Sequence, residues 1–371
     1  MISAKKDTHL FRLTPSRILT VRPAPVRLPK WLGFSGTLLG VNPAPASPSP
    51  PGPDTNPGDI DIRIVDPTVS GSNRPSDTWI AEQASAVLAN AMAPDQRDDR
   101  FANWVAPDEF LAAVAMIGEH PIGYLGGGID RERQQLDGLI VESWASGVNG
   151  PMLMAAMFHA LEPSLRRTSA TSVELWGKPA QSWHRSLADR EGFSEVRALH
   201  QLRCALPLAA GVVGANTIVT RGFVLGQDEE RLLTVNNRAF ASHPDQGAMT
   251  EADLAEAASQ PWFQADGIRL LEDAEDPSVL AGFCWTKIHQ PLAEGQPALG
   301  EIYAIAIDPD HHGTGLGKPM TAAGLDWLFA QGITTGMLYV EADNEPALAT
   351  YYKLGFEQHR TDRAWRKRVK R

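Results

Sequence analysis

Cysteine is nearly missing from this chain, whose 371 residues include only Cys204 and Cys284. That excludes a disulfide-stapled scaffold and a cysteine-built metal site. Both thiols lie in apolar, strand-like runs and are expected to be buried, which fits a reducing cytoplasm. No apolar run is long enough to span a bilayer. The N-terminal stretch lacks the charged-then-apolar build of a secretory signal, because Pro15, Pro23, Pro25 and Pro29 interrupt it. Positive charge is in deficit, at −10 net. Residues 1–58 hold seven Lys/Arg against two Asp, a balance of +5, so residues 59–371 carry −15. An acidic body argues against nucleic-acid and membrane-surface partners. Two common phosphate motifs are also missing. Glycine spacing does not give the G-x-G-x-x-G of dinucleotide folds, and Lys318 is followed by Pro319 rather than by the Ser or Thr of an NTPase loop.

What is present divides the chain into an extension and two halves. Residues 1–58 end in a proline-dense run with no capacity for a helix or a central strand, and are expected to be disordered. The length left over exceeds one domain of about 150 residues. Two stretches repeat the same order of parts. The first, residues 59–206, reads as a helix near Trp79 to Ala91, strands at Leu111–Ile117, Ile122–Tyr124 and Leu139–Val141, and a glycine-bearing turn with Gly147 and Gly150. A helix through Met152–Leu161, a strand at Val173–Trp176, a helix ending at Gly192-Phe193 and a strand near Leu199–Cys204 follow. The second, residues 218–371, repeats this with a helix at Asp228–Phe240 and strands at Ile268–Glu272, Leu280–Ile288, Ile302–Ile307 and Met337–Glu341. It ends at Gly355-Phe356. Asp95 then matches Asp245, and Val141 matches Ile307. Residues 207–217 join the halves. This is duplication of a whole domain.

The richest segment runs from Gly300 to Phe356. A β-branched run stops at Asp308-Pro309, a turn with Gly313, Gly315 and Gly317 follows, and an amphipathic helix starts there. Glycines let backbone N–H groups approach a phosphate, and a helix N-terminus adds partial positive charge. The segment therefore reads as a site for a phosphate-bearing ligand. Glu301 is the only carboxylate on the strand that enters the loop, which makes it a candidate general base.

The pattern His312-x-x-Gly315-x-Gly317 resembles the pyrophosphate loop of the GNAT N-acetyltransferases, where Gln or Arg is usual at the place of His312. The later Asn344-x-x-Ala347-x-x-x-Tyr351-x-x-x-Gly355-Phe356 is similar to a second hallmark of that family. The resemblance implies an α/β (α+β) fold of two tandem GNAT acyltransferase domains, each a mixed, mostly antiparallel central sheet flanked by helices. It implies acetyl-CoA as co-substrate and no metal. It places acetyl-CoA against Ile305, Ala306 and Ile307, then His312, Gly313, Thr314, Gly315, Leu316, Gly317 and Lys318. It adds Asn344, Glu345, Pro346, Ala347, Leu348 and Ala349 on the next helix. Tyr351 takes the role of general acid toward the CoA thiolate, with Tyr352 its surface neighbour. The first half has Ser143–Gly150 in place of the full loop, and Ser186-Leu187 where the second has Tyr351. It is therefore expected to be catalytically silent. Two roles stay open for it: holding CoA at Leu139, Ile140, Val141, Gly147 and Gly150, or walling the substrate cleft.

Tandem halves together with F-A-S-H-P-D-Q-G, F-C-W-T-K-I-H, G-E-I-Y and L-Y-V-E-A-D-N resemble the mycothiol synthase family over roughly residues 60–368. That resemblance implies acetylation of the cysteinyl amine of cysteinyl-glucosaminyl-inositol. It implies substrate contacts at Asp95, Asp245, Lys287, Glu301 and Tyr339. A cytoplasmic monomer handling a small molecule is expected, with no nucleic-acid or membrane partner. Other readings of the residues are an acetyltransferase for an aminoglycoside, a polyamine or a protein N-terminus, and a CoA-binding regulatory module. The insertion Leu292–Gln296 is expected to lengthen a hairpin loop only.

Overall fold

Runs rich in isoleucine and aromatic residues, such as Ile302–Ile307, form strands. The computed structural model describes residues 60–66, 110–118, 120–130, 133–142, 150–214, 217–241, 249–291 and 297–369. The N-terminal extension, the helix expected near Trp79, Asp95, Gly147, Asp245 and the Leu292–Gln296 insertion lie outside the described residues. The first half runs β1 (Ile60–Val65), β2 (Phe110–Ile117), β3 (His120–Asp130), β4 (Gln135–Glu142), α1 (Gly150–Leu165), β5 (Ser172–Gly177), α2 (Ser182–Glu191) and β6 (Ser194–Ala205). The second runs β7 (Arg221–Gly222), α3 (Glu229–Ala239), α4 (Glu251–Ala258), β8 (Ile268–Glu272), β9 (Leu280–His289) and β10 (Leu299–Ile307). It continues with α5 (Gly317–Ala330), β11 (Thr335–Glu341), α6 (Glu345–Lys353) and β12 (Glu357–Arg368).

All twelve described strands form one sheet, in the order β1-β2-β3-β4-β5-β12-β6-β11-β10-β9-β8-β7. Two pairs are parallel, β4 with β5 and β10 with β11. Each is joined by a crossover helix, α1 or α5, as parallel neighbours require. The sheet is thus mixed and mostly antiparallel, as expected. The halves, however, exchange their last strands. β12 lies between β5 and β6, and β6 lies between β12 and β11.

Packing anchors the exchange. Trp365 of β12 is buried in the first-half core with Leu175, Leu187 and Phe193. Its ring stacks on His184 of α2, with centroids 5.7 Å apart. Burial lowers the His184 imidazole to about 4. In return, Leu202 and Cys204 of β6 join the second-half core with Met320, Leu325 and Leu338. Trp365→Ala is expected to cost about 3–5 kcal/mol of stability, the scale for emptying a buried aromatic site. Urea denaturation checks this, and a loss below about 1 kcal/mol would mean that the exchanged strand is not an anchor.

Two layers flank the second-half sheet. α3 and α4 bring Leu232 and Leu254 onto Phe283, Trp285 and Ala304. On the other face, α5 packs Met320, Leu325 and Leu328 against Cys284 and Ile302. Both cysteines are buried free thiols, and burial pushes each up to about 12. Among the described residues no helix is long and apolar enough to cross a membrane.

Candidate active site

The site starts from a defect in the sheet. β10 pairs with β11 at three positions only, Gly300 to Ile302 against Gly336 to Leu338. Beyond them the two strands part. The ladder between β10 and β9 shifts register between Ile302 and Ala304, so Tyr303 is a bulged residue that turns the strand. Ile305, Ala306 and Ile307 therefore border an opening in the sheet, with one backbone edge released from β11. Such an edge offers N–H groups to a ligand.

α5 begins at the end of this strand. Its N-cap, Leu316, supplies no side-chain cap, so the first-turn N–H groups are left for a ligand. Gly313 and Gly315 have φ of +78° and +83°, conformations that side-chain-bearing residues avoid. Gly317 needs no such φ, and a Cβ built on it meets nothing within 4 Å. Open space beside an uncapped helix end fits a pyrophosphate. The loop is braced from outside. Asp308 accepts from Asp310 N at 3.0 Å, and Arg238 of α3 pairs with Asp308 at 3.2 Å and Asp310 at 2.8 Å. His311 pairs with Asp273 at 2.6 Å, and Thr314 Oγ1 donates to His311 O at 2.7 Å. His312, expected to donate to phosphate, directs Nε2 at Ile307 O, 3.0 Å away. Lys318 is half-buried in the first turn of α5. Asn344 caps α6 by accepting from Ala347 N at 3.2 Å. Glu345, Pro346 and Ala349 are exposed there, and Ala347 and Leu348 half-buried.

Glu301 is buried on the face covered by α3 and α4. Its Oε2 lies 2.7 Å from His289 Nε2, with both side chains under a tenth exposed. Lys287 stands directly across from Glu301 in the β9–β10 register. It too is buried, with its ammonium 4.1 Å over the Trp262 ring and 5.6 Å from that of Tyr303. Three polar residues, Lys287, His289 and Glu301, thus share one sheet face inside an aromatic wall. His289 is the member that sequence reasoning left out. The signal was its place two residues after Lys287, which in a strand means the same face. Tyr339 is half-buried on β11 and accepts from Gln201 Nε2 at 2.9 Å.

Tyr351 sits on α6, buried, edge-on to Phe356 at 5.8 Å. Burial, and after it the neighbouring Cys284 thiol, pushes its phenol well above the usual range. Tyr352 is 47% exposed and carries the surface role. Glu301 pairs across from Lys287 on the aromatic face of the sheet, whereas Tyr351 belongs to the core on the α5 face. Among the described residues, no group of His, Cys, Asp or Glu is arranged to hold a metal.

Among the described residues, the first half lacks the sheet defect and the tyrosine. Pairing of β4 with β5 extends over five positions, Gln135 to Leu139, and β3–β4 runs without a register shift. Ile140 is a core residue, and Gly150 opens α1. The counterpart of Tyr351 is Ala188, not Ser186-Leu187. The αL turns give the register: Phe193 N donates to Ala188 O, as Phe356 N donates to Tyr351 O. Ala188 has no acidic side-chain proton to give.

Comparisons with known proteins agree with this geometry. The acetyltransferase (GNAT) family model matches residues 233–356. The mycothiol acetyltransferase of Rhodococcus erythropolis is 36% identical over 77% of this chain and 95% of its own length. The chain belongs to the mycothiol acetyltransferase family. The family member from Kocuria rhizophila is 41% identical over 56% of this chain and 69% of its own. A GCN5-related N-acetyltransferase from Sphaerobacter thermophilus shares the fold, with TM-score 0.60 at 16% identity over 85% of this chain and 97% of that one. A tandem GNAT protein from the clavulanic acid biosynthesis pathway does so with TM-score 0.53, also at 16% identity, over 84% and 99%. As a mycothiol acetyltransferase family member, the chain is an acetyl-CoA-dependent N-acetyltransferase.

Proposed function

We propose that this enzyme transfers the acetyl group of acetyl-CoA to the cysteinyl amine of cysteinyl-glucosaminyl-inositol, giving mycothiol. The observation that carries the reading is the β10 strand: buried Glu301 at its start, a bulge at Tyr303, a parted edge, and an uncapped helix at its end. Its membership of the mycothiol acetyltransferase family supports the choice of acceptor.

Residues of the second half do the chemistry. The N–H groups of Gly313 to Lys318 hold the CoA phosphates, and Asn344 to Ala349 at the start of α6 border the cofactor. Backbone N–H groups of Ile305 to Ile307 hold the pantetheine and polarise the thioester oxygen. Glu301 removes a proton from the substrate ammonium, and His289 holds its carboxylate in place. The freed amine forms the amide bond at the thioester carbon while the C–S bond breaks, and the second proton lost by the nitrogen passes to solvent. Tyr351, kept protonated by burial, gives its proton to the leaving thiolate. Asp95, Asp245, Lys287 and Tyr339 receive the sugar and inositol hydroxyls. Residues 59–206 form a half without this machinery, joined by 207–217 to a catalytic half at 218–371.

Mass spectrometry of the full chain with acetyl-CoA and cysteinyl-glucosaminyl-inositol tests the acceptor. One added acetyl group on the amine is expected. Acetylation of a polyamine or an aminoglycoside, with the cysteinyl compound untouched, would replace this acceptor. Tyr351→Phe should lower kcat by roughly 100-fold, the usual scale for a positioned acid, with the KM for acetyl-CoA little changed. Unaltered kcat would remove Tyr351 from the reaction.

A further inference from the structure

We infer that Trp262 is a positioning residue that holds the Lys287 ammonium, by a cation–π contact, toward the oxygens of the acceptor substrate. The inference rests on the placement of Lys287 in the acceptor site proposed above. It gives the turn after α4 a part in acceptor binding.

Trp262 arrives from a tight turn. α4 ends at Ala258, and Phe263 N donates to Gln260 O at 3.0 Å, which closes a turn with Pro261 and Trp262 at its centre. Proline suits the second place of such a turn. Turn residues normally lie at the surface, yet Trp262 is 7% exposed. The Lys287 ammonium stands over its ring, 4.1 Å from the centroid. Tyr303, the bulged residue of β10, offers a second ring at 5.6 Å. The two rings brace each other, with centroids 5.3 Å apart. Trp285 completes the cluster, 6.3 Å from Trp262 and 5.5 Å from Tyr303, and Phe263 meets Trp285 edge-on at 6.0 Å. Lys287 shares its sheet face with Glu301, which lies directly across from it in the β9–β10 ladder.

Lysine carries its charge on a flexible four-carbon stem, so an ammonium left loose must be ordered each time a substrate binds. Trp262 does that ordering in advance. An aromatic face attracts a cation through its negative quadrupole, and indole does so best among the aromatic side chains, more strongly where water is excluded. Lys287 is 2% exposed, so this contact is of the desolvated kind. A second observation favours the face of the indole as the reason for a tryptophan in this turn. Its Nε1 is buried and finds no hydrogen-bond partner among the described residues, a cost that a phenylalanine there would avoid. The cation on the ring face offsets that cost. The ammonium so held donates to sugar or inositol hydroxyls beside the base, and the amine reaches Glu301 with the rest of the acceptor fixed.

Steady-state kinetics of the full chain, with cysteinyl-glucosaminyl-inositol as the varied substrate, tests this on Lys287→Met, Trp262→Leu and Trp262→Phe. The same measurement is made on the chain carrying ring-fluorinated tryptophans at position 262, introduced by nonsense suppression. Fluorine draws charge from the ring face with little change of shape, so a packing role would not register it. Trp262→Leu is expected to raise the acceptor KM roughly tenfold, the scale of one desolvated cation–π contact, and Trp262→Phe by less. The acceptor KM should climb with each added fluorine while the KM for acetyl-CoA stays at the wild-type value. In Lys287→Met the acceptor KM should be raised at the outset, and fluorination should no longer move it. The fluorine series decides the matter if Trp262→Leu does not fold. An acceptor KM that ignores fluorination, beside a raised one in Lys287→Met, overturns the inference and leaves the acceptor assignment standing. So does a fluorine effect that persists undiminished in Lys287→Met. A wild-type acceptor KM in Lys287→Met removes Lys287 from the acceptor site and the inference with it.

Discussion

Glu301→Gln is expected to lower kcat by roughly 100-fold or more, the scale for loss of a positioned base. The amide keeps the size of the carboxylate and can still accept from His289, so packing should survive while basicity is lost. The KM for acetyl-CoA should stay near the wild-type value, because the cofactor loop lies at the far end of β10. His289 makes the test sharper. His289→Gln keeps an N–H donor near the place of Nε2, 2.7 Å from Glu301, and should retain most of the activity. His289→Leu removes the donor and leaves a buried carboxylate without it, an arrangement that costs a buried ion far more than an exposed one. It should fall between wild type and Glu301→Gln. Near-normal turnover of Glu301→Gln at neutral pH would dismiss Glu301 as the base and turn attention to Asp245.

Much of this site is written locally in the sequence. The run Ile302–Ile307, its stop at Asp308-Pro309 and the three glycines that follow are short-range signals, and they give β10, the loop and the start of α5 directly. The internal repeat was legible for the same reason, since Gly192-Phe193 and Gly355-Phe356 each mark a helix end by an αL glycine. The partner of Tyr351 was misjudged in that comparison because the register depends on which carbonyl the post-helix N–H reaches, and that becomes visible only in the folded chain. The strand exchange was not legible at all. β12 reads E-Q-H-R-T-D-R-A-W-R-K-R, with Ala364 and Trp365 its only apolar residues. Nothing in that pattern marks a strand in the middle of a sheet. Its charges are matched by partners distant in sequence: Glu174 meets Arg366 at 2.6 Å, and Arg363 meets Glu195. Such pairing follows from topology, not from local propensity. His289 shares a strand face with Lys287 by spacing, but a histidine on an apolar strand is more often a satisfied core residue, and the 2.7 Å contact with Glu301 separates the two readings.

Gly317→Val should reduce acetyl-CoA turnover by more than about 100-fold, the cost of displacing a reacting group by an ångström, and should do so without unfolding the protein. Gly315→Val should be equally inactive but is the less clean probe. Gly315 has φ of +83°, so a branched side chain there strains the turn before any ligand arrives. Gly317 is under no such constraint, and the space beside it is open. A valine at that position meets only what comes to bind at the end of α5. Its predicted signature is a native circular dichroism spectrum with acetyl-CoA binding lost. The corresponding change in the first half, Gly150→Val at the start of α1, should be much milder, because β4 there has no bulge and stays paired with β5 through Leu139. If Gly150→Val loses as much turnover as Gly317→Val while remaining folded, the first half takes part in the reaction, and the assignment of all chemistry to the second half fails. If instead Gly317→Val binds acetyl-CoA normally, the pyrophosphate does not sit on the N-terminus of α5.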